Sequence, residues 1–362
     1  MKLRTIIILL VVVIVVAVVG FVAYVNLTAP GPTCTSTWNC GSGYPIQVGG
    51  TYGIGGQQCI SNSTYVDCIG GQDANFGPRS EVYLATFSSS GNITGWAASP
   101  NAYLRDINGQ SCVTSSGYVY CVGGSYDEPG DDVASSYYAA VSNSGAIGTW
   151  MSTTKFPVPV DTESCVASTS IIYCIGGNNE TDGQNADSTP SSSVWFAPLS
   201  SSGIGNWSLT TPYPSNDYFP DCFAAGGYVY CVGGADINGN SLTTSYFAPL
   251  TTNGVGPWSQ TAAYPVAATG QACAISTGVI YCVGGETGEG SSSSPPTYTN
   301  AVYYAQISPV GIGAWKQSPS FPESIGTDCA IASNYLYCVG GFNNSGGVNS
   351  NVNYASLASL SA

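Results

Sequence analysis

The amino-acid sequence predicts an all-β fold: a six-bladed β-propeller closed by an N-terminal outer strand and preceded by one transmembrane helix. Three observations carry this reading. Six cysteine pairs stand nine positions apart, a Gly-Gly follows two residues after the second cysteine of each, and a tryptophan recurs at one place in every repeat except the last.

The pairs are Cys59/Cys68, Cys112/Cys121, Cys165/Cys174, Cys222/Cys231, Cys273/Cys282 and Cys329/Cys338. Between Cys112 and Cys121 two apolar-rich strands flank Ser116-Gly117, and the other centres include Gly226-Gly227, Thr277-Gly278 and Ser333-Asn334. These residues suit the positive φ angles of a two-residue hairpin turn. Counting outward from such a turn, pair types alternate, and the cysteines fall on a non-hydrogen-bonded pair. There the Cα atoms come closest, within reach of a disulfide. The spacing therefore predicts six cross-strand bridges, each worth at most ~2–3 kcal/mol for a loop of about ten residues. Cys34 and Cys40 make a seventh. Fourteen paired cysteines place the chain in an oxidising compartment, and the absence of histidine argues against zinc.

Successive second cysteines lie 53, 53, 57, 51 and 56 residues apart, the period of propeller blades and not of helical solenoids. After each Gly-Gly comes a variable loop, then an aromatic strand ending in alanine, such as Tyr137-Tyr138-Ala139 or Tyr246-Phe247-Ala248. Ten or eleven residues later stand Trp96, Trp150, Trp207, Trp258 and Trp315. The sixth tryptophan falls due beyond Ala362, while Trp38 belongs to no complete repeat. Trp38 precedes Tyr44-Pro45 as Trp150 precedes Phe156-Pro157 and Trp207 precedes Tyr213-Pro214. The N-terminal segment thus supplies the strand that the last blade lacks, with residues 38–48 completing 324–362. A ring closed in this way leaves no long exposed edge.

The double glycines at 70–71, 123–124, 176–177, 233–234, 284–285 and 340–341, the tyrosine-rich third strands and the blade tryptophans resemble the kelch family of β-propellers over residues 38–362. The resemblance implies that the double glycine ends the second strand and that the tryptophan packs on the outer one. The paired cysteines are an addition to the family pattern, and blade one departs from it, because Trp96 is followed by Pro100 and Tyr103. Propellers of this kind serve as enzymes, scaffolds and adhesins, so the fold does not fix the function.

Lys2 and Arg4 precede an uncharged run from Thr5 to Val25, long enough as a helix to cross a bilayer. Residues 1–27 read as an uncleaved signal-anchor with the propeller exported, and 28–37 as a linker of at most ~35 Å. A pilin-like helix packing into a filament core is the alternative reading of this segment. Sequons at Asn26, Asn62, Asn92, Asn179, Asn206 and Asn343 permit glycosylation. In a four-stranded blade the first hairpin turn and the turn between strands three and four share one face of the ring. Those turns are uncharged in all repeats, whereas nearly all carboxylates fall in the opposite loops. The neutral face is expected to look toward the membrane, and the acidic face outward.

The chain carries 6 basic and 20 acidic residues, a net charge of −14, which argues against nucleic acid or anionic ligands. Without histidine, the metal ligands that a kelch-like copper oxidase needs are missing, and the few arginines exclude a sialidase-like cluster. Carboxylate pairs such as Asp161/Glu163 or Asp217/Asp221 have the chemistry of a glycoside hydrolase, the third-ranked reading. Asp236-Ile-Asn238-Gly-Asn240 matches the opening of a calcium loop, but Ser241 replaces the turn glycine and no glutamate closes it. No cofactor other than calcium is expected. The expected ligand surface is the outward face, with Arg79, Arg105, Tyr126, Asp127, Asp131, Asp132, Asp161, Glu163, Asp217, Tyr218, Asp221 and Glu286 as its candidate residues. The function expected is a cell-surface binding or adhesion module for a glycan or protein partner. A subunit of a surface layer or filament, self-associating through its faces, is the alternative.

Overall fold

The structure, a computed structural model, describes residues 34–126, 132–179, 189–217, 220–288 and 296–362. The expected transmembrane helix, most of the linker, Asn26, Asp127, Asp131 and Tyr218 lie outside the described residues. Among the described residues, no helix is long and apolar enough to cross a membrane.

Each repeat folds as an antiparallel blade. In blade two, Ser111–Ser115 pairs with Tyr118–Val122, which pairs with Ser136–Ala140, which pairs with Met151–Ser152. The hairpin register sets Cys112 opposite Cys121. The same register sets Cys59 opposite Cys68, Cys165 opposite Cys174, Cys222 opposite Cys231, Cys273 opposite Cys282 and Cys329 opposite Cys338. The Cα atoms of these six pairs stand 4.0–4.1 Å apart, as a non-hydrogen-bonded pair requires. All six are bridged as the spacing predicts, and Cys34 with Cys40 forms the seventh disulfide. The turns adopt the left-handed backbone that their residues favour, with φ of 52° and 79° at Ser116 and Gly117 and 58° and 83° at Gly226 and Gly227.

The ring closes as the tryptophan count predicts. Asn39 pairs with Tyr354 and Cys40 with Asn353, so the N-terminal segment is the fourth strand of blade six. Trp38 is fully buried, and its indole N–H donates to the Pro319 carbonyl at 3.3 Å.

The core is a set of wedges between neighbouring blades. The second strands are buried on both faces because alternate residues serve different neighbours. In Tyr118–Val122, Val119 and Cys121 pack toward blade one, while Tyr120 and Val122 pack toward blade three. On the outer rim each tryptophan meets, edge to face, the aromatic residue that follows the preceding blade's tryptophan. Centroid distances run from 4.8 to 5.0 Å for Trp38–Phe321, Trp96–Tyr44, Trp150–Tyr103, Trp207–Phe156, Trp258–Tyr213 and Trp315–Tyr264. Tyr103 therefore does in irregular blade one what the aromatic-proline pairs do elsewhere.

The double glycines mark where backbones of adjacent blades cross. The N–H of Gly124 donates to Val160 O at 2.9 Å, and that of Gly285 donates to Ile325 O at 2.9 Å. A side chain at Gly123 would sit 2.5 Å from Val160 O, and φ there is 63°, so only glycine fits.

Candidate functional site

The six first strands surround a central channel, and their sequence decides its chemistry. Aligned on the first cysteine of each pair, the preceding residues are Gln58, Ser111, Ser164, Asp221, Ala272 and Asp328. Each polar one reaches the backbone N–H of the next blade's cysteine. Ser111 Oγ accepts from Cys165 N at 2.9 Å, and Ser164 Oγ accepts from Cys222 N at 2.9 Å. Gln58 Oε1 accepts from Cys112 N at 3.4 Å, Asp221 from Cys273 N at 2.5 Å, and Asp328 from Cys59 N. Only Ala272 offers no acceptor. Asp328 makes up the deficit, because its carboxylate also faces the N–H of Cys329.

The two halves of each disulfide have different surroundings. The first cysteines, Cys59, Cys112, Cys165, Cys222, Cys273 and Cys329, border the channel. The second ones, Cys68, Cys121, Cys174, Cys231, Cys282 and Cys338, are at most 1% exposed and do not border it. They sit on the doubly buried second strands, where they hold the hairpin.

At the loop end, this channel opens into a cavity of about 490 Å³ lined by Gln58, Ser111, Asp221, Glu286, Tyr298 and Asp328, among others. Its lining contains carboxylates, amides and hydroxyls but no lysine or arginine. The opposite, turn end holds a cavity of about 560 Å³ lined by Ser61, Asn62, Ser63, Ser276, Ser333 and Asn334 together with apolar strand residues, none of them charged. The contrast between faces that the charge pattern predicts is thus carried into the channel.

Asp221, Asp328 and Glu286, which line the loop-end cavity, are poor acids. Asp221 and Asp328 keep an edge toward the channel, yet protein surrounds them on nearly every side. Burial pushes Asp221 up to about 8 against the pull of the Cys273 N–H, with nearby Asp328 adding repulsion. Asp328 rises to about 7 through burial, opposed by the N–H groups of Cys59 and Cys329 and the Gln58 amide. Glu286 is raised by burial, and its strand partner Tyr298 is pushed to about 12 by burial and by the Glu286 charge. A site with these groups offers neutral acids and hydroxyls as hydrogen-bond donors at acidic pH, and gathers negative charge as pH rises.

The structure divides the sequence-predicted site residues. Glu163, Asp221 and Glu286 line the mouth; Arg79, Arg105, Tyr126, Asp132, Asp161 and Asp217 do not. The guanidinium of Arg79 is engaged by Asp73 at 3.4 Å and by Glu81, and Arg105 lies over the Tyr126 ring at 5.0 Å. Reading the acid pairs as exposed loop groups needs correction at two positions, because Glu163 is 5% exposed and Asp217 only 1%. Asp217 turns inward to accept from Ser215 Oγ at 2.8 Å, and burial raises it to about 6. Neither pair weighed for hydrolysis reaches the mouth as a pair. Sequence reasoning missed Asp328 and the channel-lining glutamines, although aligning the repeats on their first cysteines would have shown the polar column.

The weak calcium loop closes on itself. Asp236 accepts from the N–H groups of Asn238 and Asn240 at 2.8 and 2.9 Å and from the Asn240 amide at 3.0 Å, which lowers its pKa. Among the described residues, no three His, Cys, Asp or Glu side chains converge as metal ligands. Of the sequons, Asn62 and Asn206 are exposed, and Asn92 and Asn343 are partly buried.

Fold and channel together define a disulfide-stapled, six-bladed β-propeller with one acidic and one uncharged end. No protein-family model matches the chain, and no curated protein matches it. Among 588 matching chains of solved structures is one described as "Structure of YjhT". It aligns with a TM-score of 0.67 over 86% of this chain and 95% of that chain, at 13% identity. The likeness establishes the fold alone.

Proposed function

We propose that this chain is a kelch-like, membrane-anchored binding module of the cell exterior, which recognises a neutral, polyhydroxylated glycan at its acidic loop face, centred on the channel mouth. The observation that carries this reading is the cavity of about 490 Å³ whose lining combines carboxyls, amides, hydroxyls and the aromatic rings of Tyr298 and Phe342 with no cation. Sugar hydroxyls both donate and accept, and such a lining answers both while repelling anions. The seven disulfides favour an oxidising exterior, and the apolar run at the N-terminus supplies the anchor. The acids of the mouth serve recognition here and not hydrolysis.

The test is a screen of neutral and acidic oligosaccharides against the full chain in detergent at pH 4 and pH 7, followed by calorimetry of any hit with Glu286→Gln and Tyr298→Phe. Neutral sugars are expected to bind, with at least about tenfold weaker affinity in one of the two variants, the loss set by a hydrogen bond left unpaired. Binding of anionic glycans in preference to neutral ones, or hits unaffected by both variants, would refute the reading.

A second reading rests on the turn end, whose cavity of about 560 Å³ has an uncharged lining. A neutral face meets another copy without charge repulsion, which suits a subunit of a surface layer. Light scattering of the chain against concentration separates the two. Growth into large assemblies favours the lattice, and a constant mass favours the isolated receptor.

A further inference from the structure

Three of the six seams between blades are latched in the same way. Two residues before the first cysteine stands a buried glutamine, whose amide Nε2 donates to the carbonyl just before the preceding blade's double glycine. Gln57 reaches Val339 O at 2.6 Å, Gln110 reaches Ile69 O at 2.9 Å, and Gln271 reaches Val232 O at 2.7 Å. The first cysteine of blade three is Cys165, and the residue two before it is Glu163. Its counterpart carbonyl is that of Val122, before Gly123-Gly124.

The carboxyl occupies the place of the glutamine amide. A Cβ built on Gly70 would lie 2.8 Å from Gln110 Nε2, and one built on Gly233 would lie 2.7 Å from Gln271 Nε2. One built on Gly123 would lie 2.7 Å from Glu163 Oε1. The atom standing where a donor belongs is an oxygen, and as a carboxylate it would face a carbonyl with two acceptors opposed. Glu163 is 5% exposed, and its oxygens face no donor but the residue's own N–H. Among the described residues, a charge there has no counter-ion. The titratable groups that face it are the carboxyls of Asp161 and Asp132 and the buried phenol of Tyr103, and no lysine or arginine is among them.

We infer that Glu163 works as a neutral carboxylic acid that donates its proton to the Val122 carbonyl, making the seam between blades two and three a pH-dependent latch beside the channel mouth. A neutral carboxylic acid has the same donor-plus-acceptor pattern as a glutamine amide, so the protonated side chain completes a latch of the sibling type. Ionisation removes the donor, and leaves a buried charge between two backbone carbonyl-rich crossovers. Burial, with Asp161 and Asp132 adding repulsion, holds the carboxyl well above the ordinary glutamate range, while its own N–H opposes the shift. A seam built in this way is closed in acidic surroundings and loosens as pH rises.

The test compares thermal melting of the full chain from pH 4 to pH 8 for wild type, Glu163→Gln and Gln110→Glu. Glu163→Gln is expected to melt with wild type at pH 4 and above it by pH 8, the gap widening to at least ~2 °C. Gln110→Glu, which moves the same group to the seam between blades one and two, is expected to match wild type at pH 4 and fall below it as pH rises. The infrared difference spectrum of wild type minus Glu163→Gln at pH 6 is expected to show one protonated-carboxyl band beyond those of Asp67, Asp221 and Asp328, which both proteins share. An unchanged pH slope in Glu163→Gln, the absence of that band from the difference spectrum, or destabilisation of Glu163→Gln at pH 4 would overturn the inference. The last result counts because glutamine is the residue that the sibling seams use.

Discussion

Replacing Trp38 with alanine probes the closure of the ring at its only covalent gap. The indole is fully buried, lies 4.8 Å edge-on from Phe321 and donates to Pro319 O at 3.3 Å. Truncating a buried tryptophan costs about 3–5 kcal/mol. The edge-to-face contact accounts for about 1 kcal/mol of that. Trp38→Ala should therefore destabilise the propeller by about 4 kcal/mol. Trp258 is the control. It makes the same contact with Tyr213 at 5.0 Å and donates to Thr211 O at 3.3 Å, but it is only half-buried. Its strand also enters from its own blade. Trp258→Ala should cost about half as much, since burial scales the loss. A second signature belongs to Trp38 alone. Its strand pairs Asn39 with Tyr354 and Cys40 with Asn353, and Gly41 N and Tyr44 N donate to Val352 O and Ser350 O at 2.8 Å, so losing the anchor should loosen the outer edge of Val348–Ser356. Guanidinium titration reads the free energies, and hydrogen exchange reads the edge. Equal costs for the two variants, with unchanged exchange at Asn353 and Tyr354, would refute the idea that Trp38 fastens the ring.

Three further outcomes follow from the same geometry. Asp67 is 1% exposed and stands where the other blades carry a tyrosine before the second cysteine, and burial lifts it to about 8. Because the folded pKa is raised, its stabilising contribution is full below pH ~4 and fades as pH climbs toward 8; about 4 kcal/mol is lost by pH 7. Asp67→Asn should flatten this part of the pH profile in chemical denaturation, overtaking wild type near neutrality; a parallel profile would contradict the assignment. Ser111→Ala leaves the buried N–H of Cys165 without its acceptor and should cost about 1–3 kcal/mol, measured by the same titration. Reducing the disulfides under non-denaturing conditions should lower the melting temperature without dissolving the fold, because each hairpin bridge closes a loop of about ten residues within one blade. Complete unfolding on reduction at room temperature would show that the bridges, and not the inter-blade wedges, carry the structure.

What the sequence determined by itself is local or periodic. A nine-residue cysteine spacing admits one hairpin register, so strands, turns and disulfides follow from backbone geometry. Repetition then counts the blades, and the stray Trp38 tells how they close. The uncharged turns and acidic loops likewise predict two unlike ends, because strand alternation sends successive loops to opposite faces. Tertiary structure decided what the side chains meet across a seam. Glu163 and Asp217 read as surface acids because their neighbours in sequence are polar loop residues, whereas neighbours from adjacent blades bury them. Asp328 went unnoticed for the same reason: its partners, Gln58 and the N–H of Cys59, lie some 270 positions away. Burial and pKa are properties of that meeting, since the field at a carboxyl is set by every group packed around it. The column of polar residues before the first cysteines was present in the sequence throughout. Only the ring turned it into a channel.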